Sequence, residues 1–564
     1  MPFWAHSGEM EEPQTLVLVV ALACLIAVAS VAAKRFSIAA PIVLLVAGTA
    51  VGFIPGLPRV PLDPELMLMV LLPPILYGAG VGMSWRGFRA NLRPILLLAV
   101  GCVLFTTTAV AVVAHYAVGL PWAVAFVLGA IVSPPDAVAP MAVLRALRLP
   151  RHLIIVLEGE SLVNDATALV TFSFAVAAVA SGGFSPTAAA LQFMAIVVAE
   201  IAFGLAVGWA MLGLRRVADD PRAEVLLALV IPFGAFWPPH FLGGSGVVAC
   251  VTAGLWVSWN GRRLIRPATR LQGYFIWDLV TWGVEALTFV LTGLQARSVI
   301  EGLAGEGWDR PLIAAALVCG TVIGVRFIWV FPATYLPPLL ARAIGRREPL
   351  PNWQSPFLLS FVGLRGVVSL AAALSIPFMV NGRAFPERDL ILFVTFCVIA
   401  VTLVGVGATL PVVVRRLDLA HAGLAEADED KRAERAARLE GIDAVLAGLD
   451  RAAAIGAPTS SVAAMRRRHN DRRRHLGISA DERTDEDPVG DTSVLELELV
   501  DIERKAIARA YGENRLTDEA RRRIEREFDL EEARIRHSAA SAAPAVDDQG
   551  GKDEAAEETA TQSP

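Results

Sequence analysis

The sequence predicts an all-α polytopic membrane protein with about 13 transmembrane helices, followed by a helical cytoplasmic tail. Three observations predict it. Of the 564 residues, 55% are hydrophobic, and they gather into runs near the 20 residues that a helix needs to cross a hydrocarbon core about 30 Å thick. Lys and Arg fall between those runs, on alternate sides. After Leu417 the composition changes abruptly to Ala, Arg, Glu and Asp, so residues 1–416 form a membrane domain and 417–564 a tail. The clustering excludes a soluble globule; the net charge of −5 decides nothing, because the charges are segregated.

Candidate spans run at 14–33, 38–54, 65–82, 94–118, 121–144, 151–180, 187–214, 223–241, 245–260, 275–297, 311–341, 355–380 and 388–414. Ahead of the first, Glu9, Glu11 and Glu12 stand where a cleaved signal peptide would carry a basic segment, so no cleavage is expected. Loops after odd-numbered spans hold twenty Lys and Arg, among them Lys34, Arg35, Arg86, Arg145, Arg148, Arg215, Arg262 and Arg346. The other side has five: Arg59, Arg297, Arg310, Arg383 and Arg388. That asymmetry puts the N-terminus outside and the C-terminus in the cytoplasm, which an odd number of spans requires. Cys24, Cys102, Cys250, Cys319 and Cys397 all lie within apolar runs and read as small core residues, with neither metal spacing nor a disulfide framework.

The stretch from Ile131 to Val170 is the exception to this apolar pattern. It holds Ser133-Pro134-Pro135-Asp136 inside span 5 and Glu160-Ser161-Leu162-Val163-Asn164-Asp165 inside span 6. A charge at membrane depth is costly and marks an ion or proton path. Each proline lacks an N–H and pushes its predecessor out of the α region, so a helix from Trp122 must break near Ser133 and free the carbonyls of 130–132. A second half-helix can restart at Pro135, with Asp136 in its first turn, where the dipole favours an anion. In span 6, Glu160 with Asn164 and Ser161 with Asp165 are four apart, so all four share one side of a helix.

The segments S-P-P-D-A-V-A, E-G-E-S-L-V-N-D-A-T-A-L-V and G-L-R-G-V-V-S-L-A-A-A-L-S-I-P resemble, in order, the signature segments of sodium/proton antiporters of the NhaP/NHE type. The resemblance implies monovalent cation/proton exchange by a homodimer in the plasma (inner) membrane, with the Asn164-Asp165 pair carrying the transport aspartate. It also implies a core of inverted repeats whose broken helices cross at the midplane. With span 7 as a linker, spans 1–6 correspond to 8–13, and broken span 5 to span 12, which holds Gly363, Arg365 and Gly366. The resemblance pairs Arg365 with Glu160 as a structural brace; snorkelling of Arg365 to the surface is the alternative. Arg326 also matches a family position, with Glu285 or Asp278 as candidate partners.

The chain departs from the family in several places. Pro135 replaces a common threonine, so a carbonyl at Pro134 or Pro135 would have to serve where a hydroxyl is lost. Gly78 stands where many relatives carry a carboxylate in span 3. Glu285 lies where an amide is commoner and is a candidate replacement for that carboxylate. Glu200, in the linker span, suits a dimer-interface or lipid-facing role.

The leading functional reading is exchange of Na⁺, or of K⁺ or Li⁺, for H⁺. A carboxylate withdrawn from water needs either a proton or a cation, so Asp165 would bind each in turn. Na⁺ would sit at Asp165 and Ser161; Asn164 would orient or ligate, and Asp136 would hold a water or steady the broken helix. No cofactor and no nucleic-acid partner are expected. A passive cation channel is the rival class, but no selectivity-filter pattern is present. Enzymes and ATP-driven pumps are disfavoured, since His-Glu-x-x-His, Gly-x-Ser-x-Gly and P-loop motifs are all missing. In the tail, Leu439, Ile442, Leu446 and Leu449 have helical spacing, as do Leu495, Leu499, Ile502 and Ala506. Arg466–Arg468 and Arg472–Arg474 suit anionic lipid or a solvated loop, Thr517 can cap a helix, and disorder is expected from about 538.

Overall fold

Without water to satisfy backbone N–H and C=O groups, an apolar run must bond within itself. A helix accordingly occupies each predicted run. The computed structural model describes residues 12–36, 38–55, 67–136, 140–141, 144, 147, 149–183, 185–217, 220–265, 267–303, 307–343, 350–456, 458–477, 496–497, 499–505, 507, 509, 524 and 527–537. The helices are α1 (Glu12–Arg35), α2 (Ala40–Gly52), α3 (Leu68–Gly82), α4 (Leu92–Val118), α5 (Trp122–Val132), α6 (Arg151–Ser181) and α7 (Pro186–Val217). They continue as α8 (Pro221–Phe241), α9 (Val247–Leu264), α10 (Pro267–Leu294), α11 (Asp309–Ala343), α12 (Gln354–Phe361), α13 (Val367–Leu374) and α14 (Arg388–Arg416). Among the described residues, eight helices are long and apolar enough to cross a membrane.

The tail supplies α15 (Leu419–Ala454) and α16 (Thr459–Gly477). The chain forms two compact units, Met1–Glu426 and Ala427–Pro564. The break therefore falls within α15, and its first two turns belong to the membrane unit. Glu426 shows why: its Oε2 accepts the backbone N–H of Arg151 at 2.9 Å, satisfying an orphan donor at the start of α6. Arg59, Arg145, Arg148, Arg346, Arg347, Leu495, Ala506, Thr517 and the segment from 538 lie outside the described residues.

Three hydrophobic clusters fill the membrane unit, and α6 contributes to each. Phe172 and Ala175 pack with α4, α5, α11 and α14. Leu153, Val156 and Leu157 pack with α2, α10 and α12. Leu162 and Ala166 pack with α3, α8 and α9. The helix bearing Glu160 to Asp165 is thus held by all three clusters. Close backbone approach elsewhere depends on small residues. On α2, a methyl at Gly48 would collide with the Val290 carbonyl of α10.

Span 12 is broken, as the repeat argument requires, but without a proline at the break. Residues 362–366 are non-helical, and Gly366 precedes α13 with extended φ −129° and ψ −153°. A small antiparallel hairpin follows, β1 (Met379–Val380) and β2 (Arg383–Ala384), with Met379 opposite Ala384.

Candidate functional site

The two broken spans meet through their breaks. The backbone N–H of Asp136 donates to the Leu364 carbonyl at 2.7 Å, tying the end of one interrupted helix to the other. Ser133 Oγ closes the last turn of α5 by donating to the Ala130 carbonyl at 3.1 Å. Other freed carbonyls are taken by Arg365, which is buried. Its Nε donates to Val132 O at 3.0 Å and its Nη2 to Ser133 O at 3.3 Å, while Nη1 donates to Gly363 O. The guanidinium therefore sits at the negative C-terminal ends of both α5 and α12, where a cation is favoured. Its own backbone N–H donates to Thr402 Oγ1 at 3.0 Å.

That geometry corrects two expectations. Arg365 does not snorkel, and it does not pair with Glu160. Glu160 instead makes a buried, bidentate ion pair with Arg326 of α11, at 2.6 Å from Nη1 to Oε1 and 2.8 Å from Nη2 to Oε2. Arg326 Nε donates to Leu359 O at 3.0 Å, so the pair also holds α12. The physical reason is demand: a carboxylate at this depth needs a forked donor, while Arg365 is already occupied by helix-end carbonyls. Neither Glu285 nor Asp278 is the partner of Arg326.

On the other side of the crossing, the Asp136 carboxylate packs against Gly366, where any added methyl would overlap it. It lies at the positive N-terminal end of α13, an end suited to an anion. Residues 137–139 lie outside the described set, so the helix expected to restart at Pro135 is described only at Pro140, Met141 and Leu144.

The remaining polar groups of α6 converge here. Asn164 Nδ2 donates to the Pro135 carbonyl at 2.6 Å, so the broken segment is tied to α6 by an amide. Its Oδ1 is buried without a partner. Asp165 is 8% exposed and close enough to Asp136 for the two carboxylates to repel. Asp136, Ser161 and Asp165 line a cavity of about 830 Å³ that extends between α3, α9 and α10 to Ser84 and Ile265, beside the Arg-rich loops. Two carboxylates, a hydroxyl and an orphaned amide oxygen are hard oxygen donors; a small hydrated cation fits them, and a proton on one carboxylate relieves the same repulsion.

Gly78 and Glu285 line the same cavity. The Thr281 methyl lies 2.6 Å from where a Cβ on residue 78 would stand, so α10 fills the space that a longer side chain would need. Glu285 is one helical turn beyond Thr281. The structure thus places Glu285 in the cavity that Asp136, Ser161 and Asp165 also line.

Glu200 is a further correction. It is buried, not lipid-facing, and caps α9. Its Oε1 accepts from the N–H groups of Ser245 and Gly246 at 2.6 and 2.9 Å, and Oε2 from Val248 N–H at 3.1 Å. Ser245 Oγ adds a further bond at 2.9 Å. Sequence reasoning also passed over Thr402, which lies in a widened turn of α14 over Val401–Val406; threonine within an apolar run gives little signal.

Comparison with known proteins agrees with this architecture. Residues 18–416 match the family model described as sodium/hydrogen exchanger, transmembrane. The chain is 39% identical over 415 residues to an uncharacterized Na⁺/H⁺ exchanger of Mycobacterium bovis, covering 72% of this chain and 76% of that protein. It is 33% identical over 380 residues to the Na⁺/H⁺ antiporter ApNhaP of Aphanothece halophytica, covering 67% and 69%. The solved sodium proton antiporter MjNhaP1 of Methanocaldococcus jannaschii aligns with TM-score 0.56 at 19% identity, over 72% of this chain and 99% of that one, which speaks for the fold.

Proposed function

The chain belongs to the sodium/hydrogen exchanger family, and from that membership we propose that it exchanges Na⁺ for H⁺ with Asp165 as the group that binds each in turn. One observation carries the assignment: Asp165 is buried at the wall of a large cavity, beside a second carboxylate, at the crossing of two broken helices. Two like charges in a low-dielectric site are stable only with a proton or a cation between them. Ser161 and the orphaned Asn164 Oδ1 supply neutral ligands, while the amide of Asn164 holds the Pro135 carbonyl in place. Asp136 and Arg365 compensate the helix ends at the crossing, and Glu160 with Arg326 braces α6 against α11.

We read the protein as a homodimer in the plasma membrane, N-terminus outside and C-terminus in the cytoplasm. The segregation of Arg and Lys supports that orientation, and it makes the cavity open to the cytoplasm. Exchange is assigned as electroneutral, one Na⁺ for one H⁺. The test is dequenching of a pH-sensitive dye in proteoliposomes, with Na⁺, Li⁺ and K⁺ added in turn. Wild type is expected to dequench with Na⁺, and Asp165→Asn to be inert while remaining folded, since an amide neither protonates nor balances a cation. Wild-type dequenching by Asp165→Asn would remove Asp165 from the mechanism.

A further inference from the structure

The cavity holds a group that cation exchange does not use. Arg215, two residues before the end of α7, lines it and is only 8% exposed. Its Nε is sealed without a hydrogen-bond partner, and no carboxylate pairs with its guanidinium among the described residues. Thr269, on the first turn of α10, also lines the cavity; it is 0% exposed and its hydroxyl is likewise without a partner. A desolvated guanidinium is expensive to leave unpaired, and in a cation path it also repels the substrate.

We propose that Arg215, Thr269 and the N-terminus of α10 form an anion site that takes a phosphate-class oxyanion at the end of the cavity nearest the Arg-rich loops. Three features point to this chemistry. Thr269 stands in the first turn of the 28-residue α10, at the positive end of the helix dipole, where an anion is favoured. A guanidinium fork matches a tetrahedral oxyanion with several acceptor oxygens, and a hydroxyl can supply another donor. The acids on α10 are set back from the site: at 1.5 Å per residue, Asp278 lies about 13 Å and Glu285 about 24 Å along the helix from Thr269. Tyr77 forms the adjacent wall, near enough for Arg215 to act on it electrostatically. An oxyanion bound here cancels the one cationic group lining the cavity among the described residues and leaves a uniformly negative path toward Asp165. The anion is either the headgroup of an anionic lipid or free phosphate.

Binding, not transport, tests the site, so failure of the exchange assignment leaves the outcome readable. Full-length protein in neutral detergent is melted with increasing inorganic phosphate against chloride of matched ionic strength. In a second arm, protein is reconstituted in phosphatidylcholine with or without phosphatidylglycerol, and retained phosphatidylglycerol is counted after washing. Saturable stabilisation by inorganic phosphate assigns a soluble ligand; retention of phosphatidylglycerol alone assigns a lipid headgroup. Arg215→Gln should weaken the effect by about tenfold or more, the usual worth of a charge-assisted bond. Thr269→Val, nearly isosteric, should weaken it less and serves if Arg215→Gln does not fold. Arg35→Gln, on another basic turn, should change nothing. Wild-type binding by both site variants, equal loss with Arg35→Gln, or no saturable binding in either arm would overturn the site and leave Arg215 solvated by cavity water.

Discussion

At the scale of single residues, the membrane unit separates its buried charges by task. Glu160 and Arg326 satisfy each other, Arg365 answers helix-end carbonyls, and Asp165 has no donor among the described residues. Breaking a buried pair leaves one uncompensated charge and costs about 3–5 kcal/mol, whereas removing both costs far less. Glu160→Ala and Arg326→Ala should therefore each lower the melting temperature in detergent more than the double variant does. A cycle between Glu160 and Arg365 should show much weaker coupling, because no hydrogen bond joins them. Additive losses for Glu160 and Arg326 would contradict the pair. Gly366 makes a sharper demand. Its Cα hydrogen faces the Asp136 carboxylate, and Gly366→Ala must displace Asp136 or the start of α13. Loss of exchange is expected in the pH-dye assay, with membrane insertion retained; normal exchange would show that the contact is not needed.

At the scale of elements, the helices and the break in span 5 were legible because long apolar runs and adjacent prolines act locally. Pro134 and Pro135 force a break whatever surrounds them. That Ser161 and Asp165 face one cavity was legible for the same reason, since positions four apart must share a side. The partner of Glu160 was not legible. Arg326 and Arg365 both lie within apolar spans, and only the three-dimensional crossing reveals that Arg365 is held by Val132, Ser133 and Gly363 carbonyls. Glu200 was misplaced because a linker span says nothing about what its acids meet. The signal lay elsewhere, in Gly243-Gly244-Ser245-Gly246, a helix start in need of an acceptor. Glu200→Ala leaves three backbone N–H groups and a hydroxyl orphaned, so a loss of at least about 2 kcal/mol is expected. Glu200→Gln, which keeps one acceptor oxygen, should lose less; equal melting temperatures for Glu200→Ala and wild type would refute the cap. The start of α15 has a comparable duty through Glu426. Truncation after Arg438 keeps Glu426 and should preserve exchange, while truncation after Leu417 frees the Arg151 N–H and should destabilise α6. Equal stability of the two truncations would show that Glu426 is dispensable.

At the scale of the whole molecule, the proposed one-for-one stoichiometry rests on which charges can change. Glu160 and Arg326 form a closed pair. Arg365 and Asp136 have opposite signs and lie at opposite helix ends of one crossing, so together they add no net charge to it. In the proposed scheme that leaves Asp165 as the group that trades. One carboxylate carries either one H⁺ or one monovalent cation, so the loaded site has the same charge in both directions. The Asn at position 164 reinforces this count, because an amide there can carry no second proton. The competing carrier is Glu285, which lines the same cavity beside the space closed off at Gly78. If Glu285 titrates with Asp165, two protons move per turnover and exchange becomes electrogenic. Proteoliposomes clamped with valinomycin and K⁺, with Na⁺ as the transported ion, separate the two cases. The expected outcome is a steady Na⁺/H⁺ distribution indifferent to the imposed voltage, in wild type and in Glu285→Gln alike. A distribution that follows voltage in wild type and loses that dependence in Glu285→Gln would make Glu285 the second carrier and end the one-for-one scheme.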